Sequence, residues 1–207
     1  MKNDLTIIIA HYKPKDSQLI NPLLKTLEEI SKQRNKYNIE VIIADDGSYY
    51  SNNIIKNYSQ KITIENDKRE IYILKNNKLD DFLNINSIKS NLISNWVYLP
   101  KIVKCMSKAR VTNYAVNESN SDKILLLDDD NYLISKNSIK NIIDLFGDYD
   151  VVIGQINDNN GRLRKYNSNR VQGTTIGIKK EIFLGVNGLG VWTEKFSCGI
   201  DSDFWIK

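Results

Sequence analysis

Histidine occurs once in 207 residues, cysteine twice and proline three times. With no second His or Cys beside it, His11 reads as a structural or supporting residue rather than a metal ligand. Cys105 and Cys198 lack metal-ligand spacing; two free thiols in a reducing compartment is the favoured reading, and one bridge between them is the other. No Pro-, Gly- or Ser-rich run forms a linker, and no internal repeat or composition break marks a boundary, so the length predicts one domain. No stretch approaches the ~18 apolar residues of a membrane span. Leu5 to Ala10 is too short for the apolar part of a secretory signal. The expectation is a cytoplasmic protein, with peripheral association at the cytoplasmic face of a membrane still open. Charge of one sign is also scarce: 29 basic against 25 acidic residues leaves +4. That mild excess permits weak attraction to anionic surfaces but does not argue for nucleic acid. An RNA-binding role would rest on 11 tyrosines and the basic balance alone.

What is present is globular: 41% hydrophobic and 26% charged residues. The most informative stretch is Lys123-Ile-Leu-Leu-Leu-Asp128-Asp129-Asp130. A short aliphatic run bounded by polar residues predicts a strand buried on both faces, inside a parallel sheet. Such sheets bind ligands beyond the carboxyl ends of their strands. Adjacent carboxylates there repel one another unless a cation sits among them, and hard oxygen ligands suit Mg²⁺ or Mn²⁺, which suit a diphosphate. The plainer reading is a polar loop that caps the next helix.

The rest of the chain alternates strands and helices. Leu5 to Ala10 predicts a first strand, ended by Pro14. Asn21-Pro22 reads as a helix cap and first turn, followed by the stripe Leu23, Leu24, Leu27, Ile30. Ile39 to Ala44 predicts a second strand, closed by Asp45-Asp46-Gly47-Ser48. A helix is expected over 49–60, and a third strand over Glu70 to Leu74. Residues 75–95 read as a polar loop with short helical pieces. A helix is expected from Pro100 to about Val116, carrying Arg110 at the edge of its apolar face. Ser138 is expected to cap a helix bearing Ile139, Ile142, Ile143 and Phe146, stopped by Gly147. Asp150 to Gly154 and Val171 to Ile178 predict strands, with a polar loop over 157–169 between them. Lys179 to Leu184 predicts a short helix, before a glycine-rich aromatic segment that ends near Asp201 and Asp203.

Polar groups thus stand at or near strand ends at Tyr12, Asp46, Asp128 to Asp130 and Asp201, with Arg110 on the helix entering the central strand. Taken singly, each has a plainer reading: a packed surface aromatic, a turn cap, a solvated helix residue, a loop charge. A nucleotidyltransferase would want a glycine-rich basic loop directly after the first strand, where His11-Tyr12-Lys13-Pro14 stands instead.

In order and spacing these segments resemble family 2 of the inverting GT-A glycosyltransferases. The resemblance runs through Ala10-His11-Tyr12, Val41 to Ser48, Lys108-Ala109-Arg110, Leu127 to Asp130 and Gly199 to Trp205. It implies a single α/β GT-A domain over 1–207, with a mostly parallel central sheet and helices on both faces. Residues 1–132 would form the nucleotide-sugar part and 133–207 an acceptor-side part that stops short of the family's usual length. The function implied is metal-dependent, inverting transfer of a hexosyl or N-acetylhexosaminyl group. The donor would be a nucleoside-diphosphate sugar, a UDP-sugar being favoured, and the acceptor a hydroxyl on a glycan, lipid-linked glycan or protein; no nucleic acid takes part. By the same resemblance Tyr12 stacks on the donor base, Asp46 hydrogen-bonds it and Arg110 supports the nucleotide. Asp128 reaches the ribose, Asp129 lies beside it on the donor side, Asp130 holds Mn²⁺ or Mg²⁺, and Asp201 is the catalytic base. Ile200 stands where the family usually has Glu, which motivates the alternative of a nucleotide-sugar-binding module impaired in transfer.

Overall fold

Three aliphatic strands are buried on both faces and therefore lie in the interior of one sheet: β1 (Leu5–His11), β2 (Ile39–Asp45) and β6 (Lys123–Asp128). The computed structural model describes residues 2–16, 20–33, 37–52, 60–63, 69–89, 91–102, 105–158, 160–165 and 175–207. Its remaining strands are β3 (Gln60–Thr63), β4 (Glu70–Lys75), β5 (Ile93–Tyr98), β7 (Val151–Ile153) and β8 (Thr175–Lys179). The sheet order is β3-β4-β5-β2-β1-β6-β8-β7. Its central strands β5, β2, β1 and β6 are mutually parallel. Antiparallel strands flank them on both sides, so the whole sheet is mixed and its parallel part is the core.

Helices cover both faces. On one, α1 (Pro22–Ser31), α2 (Asn76–Ile85) and α4 (Ser138–Leu145) press Leu23, Leu27, Phe82, Leu83, Ile139 and Ile142 onto Ile7 and Ile9. On the other, α3 (Lys108–Glu118), α5 (Lys180–Gly185) and α6 (Ile200–Ile206) press Val111, Ala115, Phe183, Ile200 and Phe204 onto Ile8 and Ile42. The period of two along β1 thus decides which helix layer each residue meets. Asn21 caps α1 as expected, its side-chain oxygen accepting from the Leu23 amide at 3.2 Å. Leu24, expected on the buried stripe, is exposed, and Thr26 takes the buried position. Among the described residues, no helix is long and apolar enough to cross a membrane.

Several expectations need correcting. Residues 76–85 form a full helix, not loose helical pieces: Leu79, Phe82 and Leu83 are its buried side, and polar side chains hide the pattern elsewhere. Strand β5 follows it, unforeseen because Ser94 and Asn95 interrupt its apolar run. The interruption is accommodated inside, where the Ser94 hydroxyl donates to the Val41 carbonyl at 3.1 Å. The helix expected from Pro100 begins only at Lys108. The Leu99 amide still donates to the Asp45 carbonyl at 3.0 Å, so the chain extends beyond the end of β2 first. Ser138 is the first residue of α4 rather than its cap. Asp201 and Asp203 lie in a helix, not a loop. Of the helix expected over 49–60, a 3₁₀ turn at Tyr49–Ser51 is seen, residues 53–59 lie outside the described residues, and Gln60 already belongs to β3. Residues 171–174 of the strand expected over 171–178, and residues 159 and 166–169 of the preceding loop, also lie outside them.

Candidate nucleotide-sugar site

Parallel register brings the sequence-distant polar residues to one edge. Ala10 pairs with both Ala44 and Asp128, and His11 pairs with Asp45, so the residues just beyond these strand ends share one crevice. Tyr12, Asp46 and the Asp triplet all emerge there. Beneath them Asp45 is fully buried and anchors the turn after β2. It accepts from the Ser48 amide (2.7 Å), the Ser51 hydroxyl (2.6 Å) and Trp96 Nε1 (3.0 Å).

Asp46 is buried, and its two carboxylate oxygens have different lives. Oδ2 accepts from Lys101 Nζ at 2.7 Å and from the Ser107 amide at 3.0 Å. Oδ1 is shut off from solvent and has no hydrogen-bond partner. Burial lifts the Asp46 carboxyl to about 6, against the opposing pull of Lys101 and the Ser107 amide. The same Lys101 ammonium lies 4.3 Å from the centre of the Tyr12 ring, a cation–π contact. Gly47 makes room for this segment: at φ +87°, a Cβ there would fall 2.5 Å from the Cβ of Lys101.

The three carboxylates of the triplet diverge. Asp128, last in β6, is paired with Lys108 from α3. Burial raises its pKa, Lys108 opposes that rise, and the neighbouring charges of Asp130 and Asp201 add to it. Asp129 turns to His11, whose Nδ1 lies 2.5 Å from its Oδ2, and also accepts weakly from the Tyr12 amide at 3.4 Å. With Nδ1–H donating to that carboxylate, Nε2 is left to accept from the Tyr50 hydroxyl at 2.5 Å. Burial pushes the Tyr50 hydroxyl far above the ordinary phenol range, which keeps it a donor. The fully buried His11 ring therefore supports the site from below, as expected.

Asp130 is the exposed carboxylate of the three, touched by the Asn131 side-chain amide at 3.0 Å. Asp201, in the first turn of α6, is brought to the triplet from the far end of the chain. It lines a cavity of about 20 Å³ together with Asp128, Lys108 and Thr112. Such a volume holds about one water, and the buried Thr112 hydroxyl facing it has no partner among the protein groups. Asp203, by contrast, is tied down by Trp192 Nε1 at 2.8 Å and Lys207 Nζ at 2.9 Å.

Among the described residues, no group of three or more His, Cys, Asp or Glu side chains is arranged to hold a metal ion. Mg²⁺ and Mn²⁺ need no such cage: they bind through one or two carboxylates, with water and substrate phosphates filling the shell. An exposed Asp130, beside an Asp128 whose charge it repels and which Lys108 offsets, fits that mode.

Arg110 stands on α3 with its Nη2 2.9 Å from Glu194 Oε2. Arg69 binds the same carboxylate through both guanidinium nitrogens, at 2.7 and 3.1 Å, and donates to the Ser107 hydroxyl at 2.9 Å. Burial would raise the Glu194 pKa, but the hydrogen bonds from Arg69, Arg110 and Ser107 overcome it and hold the carboxyl at about 2. Arg69, Lys101, Ser107, Lys108 and Glu194 are among the contributors to which sequence reasoning assigned no role. Lys101 follows the unrecognised strand β5, which hid its position. Nothing in sequence links Glu194 to the arginines, since its partners are 84 and 125 positions away.

The model of the family described as Glycosyl transferase family 2 matches residues 6–86, the segment from β1 to the end of α2. No curated protein has a significantly matching sequence. Among solved structures, the fold is similar to S. aureus TarS 1-349 in complex with UDP-GlcNAc. The TM-score is 0.62 at 15% identity, covering 100% of this chain and 52% of that one. It is also similar to a mannosyltransferase from Pyrobaculum calidifontis in complex with GDP-Man and Mn²⁺, with a TM-score of 0.58 at 13% identity, covering 98% and 50%. The chain spans about half the length of these two structures.

Proposed function

We propose, from a chain that carries a glycosyl transferase family 2 segment on a GT-A fold, that it transfers a sugar from a nucleoside-diphosphate donor to a hydroxyl acceptor with inversion. The observation that carries this reading is the approach of Asp201 to Asp128, which Asp130 also neighbours, from an element distant from β6 in sequence. Tyr12 offers a ring face for the base and Asp46 an acceptor for a base N–H. Asp128 would reach the ribose, and Asp129 holds its place through His11. Asp130 would hold Mn²⁺ or Mg²⁺, which when bound supplies Lewis-acid stabilisation of the charge on the departing diphosphate. Arg110, held in place by Glu194, would support the nucleotide.

Asp201 is the candidate base. It would take the acceptor hydroxyl's proton as the acceptor oxygen bonds to the anomeric carbon and the bond to the diphosphate breaks. Displacement from the opposite face inverts that carbon. Next to Asp130 a cavity of about 830 Å³ opens, lined by Asn131, Tyr132, Ile134, Asn157 and Arg164, with room for an acceptor on that side. UDP-sugar is the favoured donor, and a hexosyl or N-acetylhexosaminyl group the favoured cargo.

The test is an Asp201→Asn variant, followed by calorimetric titration of UDP and GDP with and without Mn²⁺ and by transfer assays on UDP-sugars. The expected result is Mn²⁺-dependent nucleotide binding equal to wild type, with transfer reduced at least about 100-fold. Transfer that survives the substitution would remove Asp201 from the chemistry. Nucleotide binding by a wild type that transfers no sugar would favour the impaired binding module, for which Ile200 is the motivating feature: its side chain is packed in the core and offers no polar contact.

A further inference from the structure

We infer that Thr112 is a positioning residue for Asp201, holding that carboxylate in place through one buried water. This rests on the reading of Asp201 as base above, and adds a residue and a bound molecule that reading does not contain. Thr112 lies on α3, one turn after Lys108, and is only 3% exposed. A threonine inside a helix commonly turns its hydroxyl to the carbonyl four residues back. Here that bond is not made: the hydroxyl is shut off from solvent and has no hydrogen-bond partner among the described residues. It faces the cavity of about 20 Å³ that Asp128, Lys108 and Asp201 also line. An orphaned buried hydroxyl is unfavourable, and a water in a polar cavity of that size is the usual remedy.

The groups around the cavity match what a water needs. A water donates two hydrogens and accepts two. The Thr112 hydroxyl and the Lys108 ammonium can donate to it, and the carboxylates of Asp128 and Asp201 can accept from it. Lys108 carries three N–H donors, one of which serves Asp128. A metal cation in this cavity would meet that ammonium, so water is the occupant the charges favour. Other walls of the cavity are apolar, Ile8, Leu126, Leu189 and Phe204 among them, which strengthens hydrogen bonds made inside it. Asp128 and Asp201 are near enough for their charges to oppose one another. A shared water, giving one hydrogen to each, lets the two carboxylates stand side by side. It ties one oxygen of Asp201 toward α3 and leaves the other for the acceptor hydroxyl. Thr112 does not meet the acceptor; it acts by fixing the water.

The experiment pairs a high-resolution crystal structure of the wild type with kinetics and calorimetry on Thr112→Val and Thr112→Ser. Valine keeps the shape and removes the hydroxyl; serine keeps the hydroxyl. The crystal structure should show one ordered water within hydrogen-bond distance of Thr112 Oγ1 and of both carboxylates. Thr112→Val should lower kcat about ten-fold. KM for the UDP-sugar and Mn²⁺-dependent affinity for UDP should stay as in the wild type, and Thr112→Ser should recover most of the lost rate. A cavity that is dry in the wild type refutes the inference and needs no variant to fold. Wild-type kcat in Thr112→Val would show that the hydroxyl does not position Asp201, and overturns it. A loss of UDP affinity that matches the loss in kcat would make Thr112 part of the packing under the donor. A Thr112→Ser variant as slow as Thr112→Val would assign the effect to the methyl group, and either result overturns the inference too. If the wild type transfers no sugar, or Asp201→Asn transfers as fast as the wild type, the base reading fails and takes this one with it; the preceding outcomes remove this one alone.

Discussion

Asp46 carries the clearest residue-scale consequence. Burial raises its carboxyl from 3.8 to about 6. A raised carboxyl pKa means the folded protein holds a proton that the unfolded chain has already released between those values. Its contribution to stability is therefore fully present below about 3.8 and is lost as pH climbs through about 6. For binding the direction is opposite, because accepting a base N–H requires the ionised form. Affinity for UDP should rise as pH passes about 6 and then level. The diphosphate gains charge in a similar range, but identically for every protein variant. The difference in pH profile between wild type and Asp46→Asn, measured by calorimetry, isolates the carboxyl; parallel profiles would mean that Asp46 does not titrate there. Tyr12, Asp46 and the triplet were legible in the sequence because each follows directly on an aliphatic strand. Lys101 and Glu194 were not, because what defines them is a partner brought close only by the fold.

The same distinction holds for elements. Strands β1, β2 and β6 announce themselves because both their faces are buried and nearly every residue is aliphatic. Strand β5 is just as interior, yet Ser94 and Asn95 break its apolar run, and the Ser94 hydroxyl is satisfied within the sheet. Helix α2 buries only Leu79, Phe82 and Leu83, too short a stripe to stand out among its polar residues. What β5 contributes to the site is Trp96, fully buried against Phe82 at a ring-centroid distance of 4.9 Å and donating to Asp45 at 3.0 Å. Replacing Trp96 by Phe keeps the ring but strips Asp45 of a donor. Urea denaturation should show a loss of about 1–3 kcal/mol. An unchanged midpoint would show that the Ser48 and Ser51 contacts suffice to hold the turn after β2.

At the scale of the molecule, Glu194 joins the late part of the chain to the early part through Arg69, before β4, and Arg110, on α3. Its carboxyl is depressed to about 2 from 4.5, so the stability it lends is fully present above pH 4.5 and is lost as pH falls toward 2. Glu194→Gln leaves two guanidinium groups facing a neutral amide and should cost on the order of 1–3 kcal/mol at neutral pH. The gap from wild type should close as acid is added; thermal unfolding followed across pH would reveal a constant gap if the charge were irrelevant. Sheet order has a further consequence, in time rather than energy. One side of β1 is covered by β2, which leaves the ribosome soon after it. The other side waits for β6: His11 and Asp129 are 118 positions apart. At ordinary translation speeds of about 5–20 residues per second, that wait is on the order of ten seconds. Throughout it, the unpaired edge of Leu5–His11 is a ready template for a strand from a neighbouring nascent chain. The spacing that assembles the crevice thus also sets how long its first strand waits for its second neighbour.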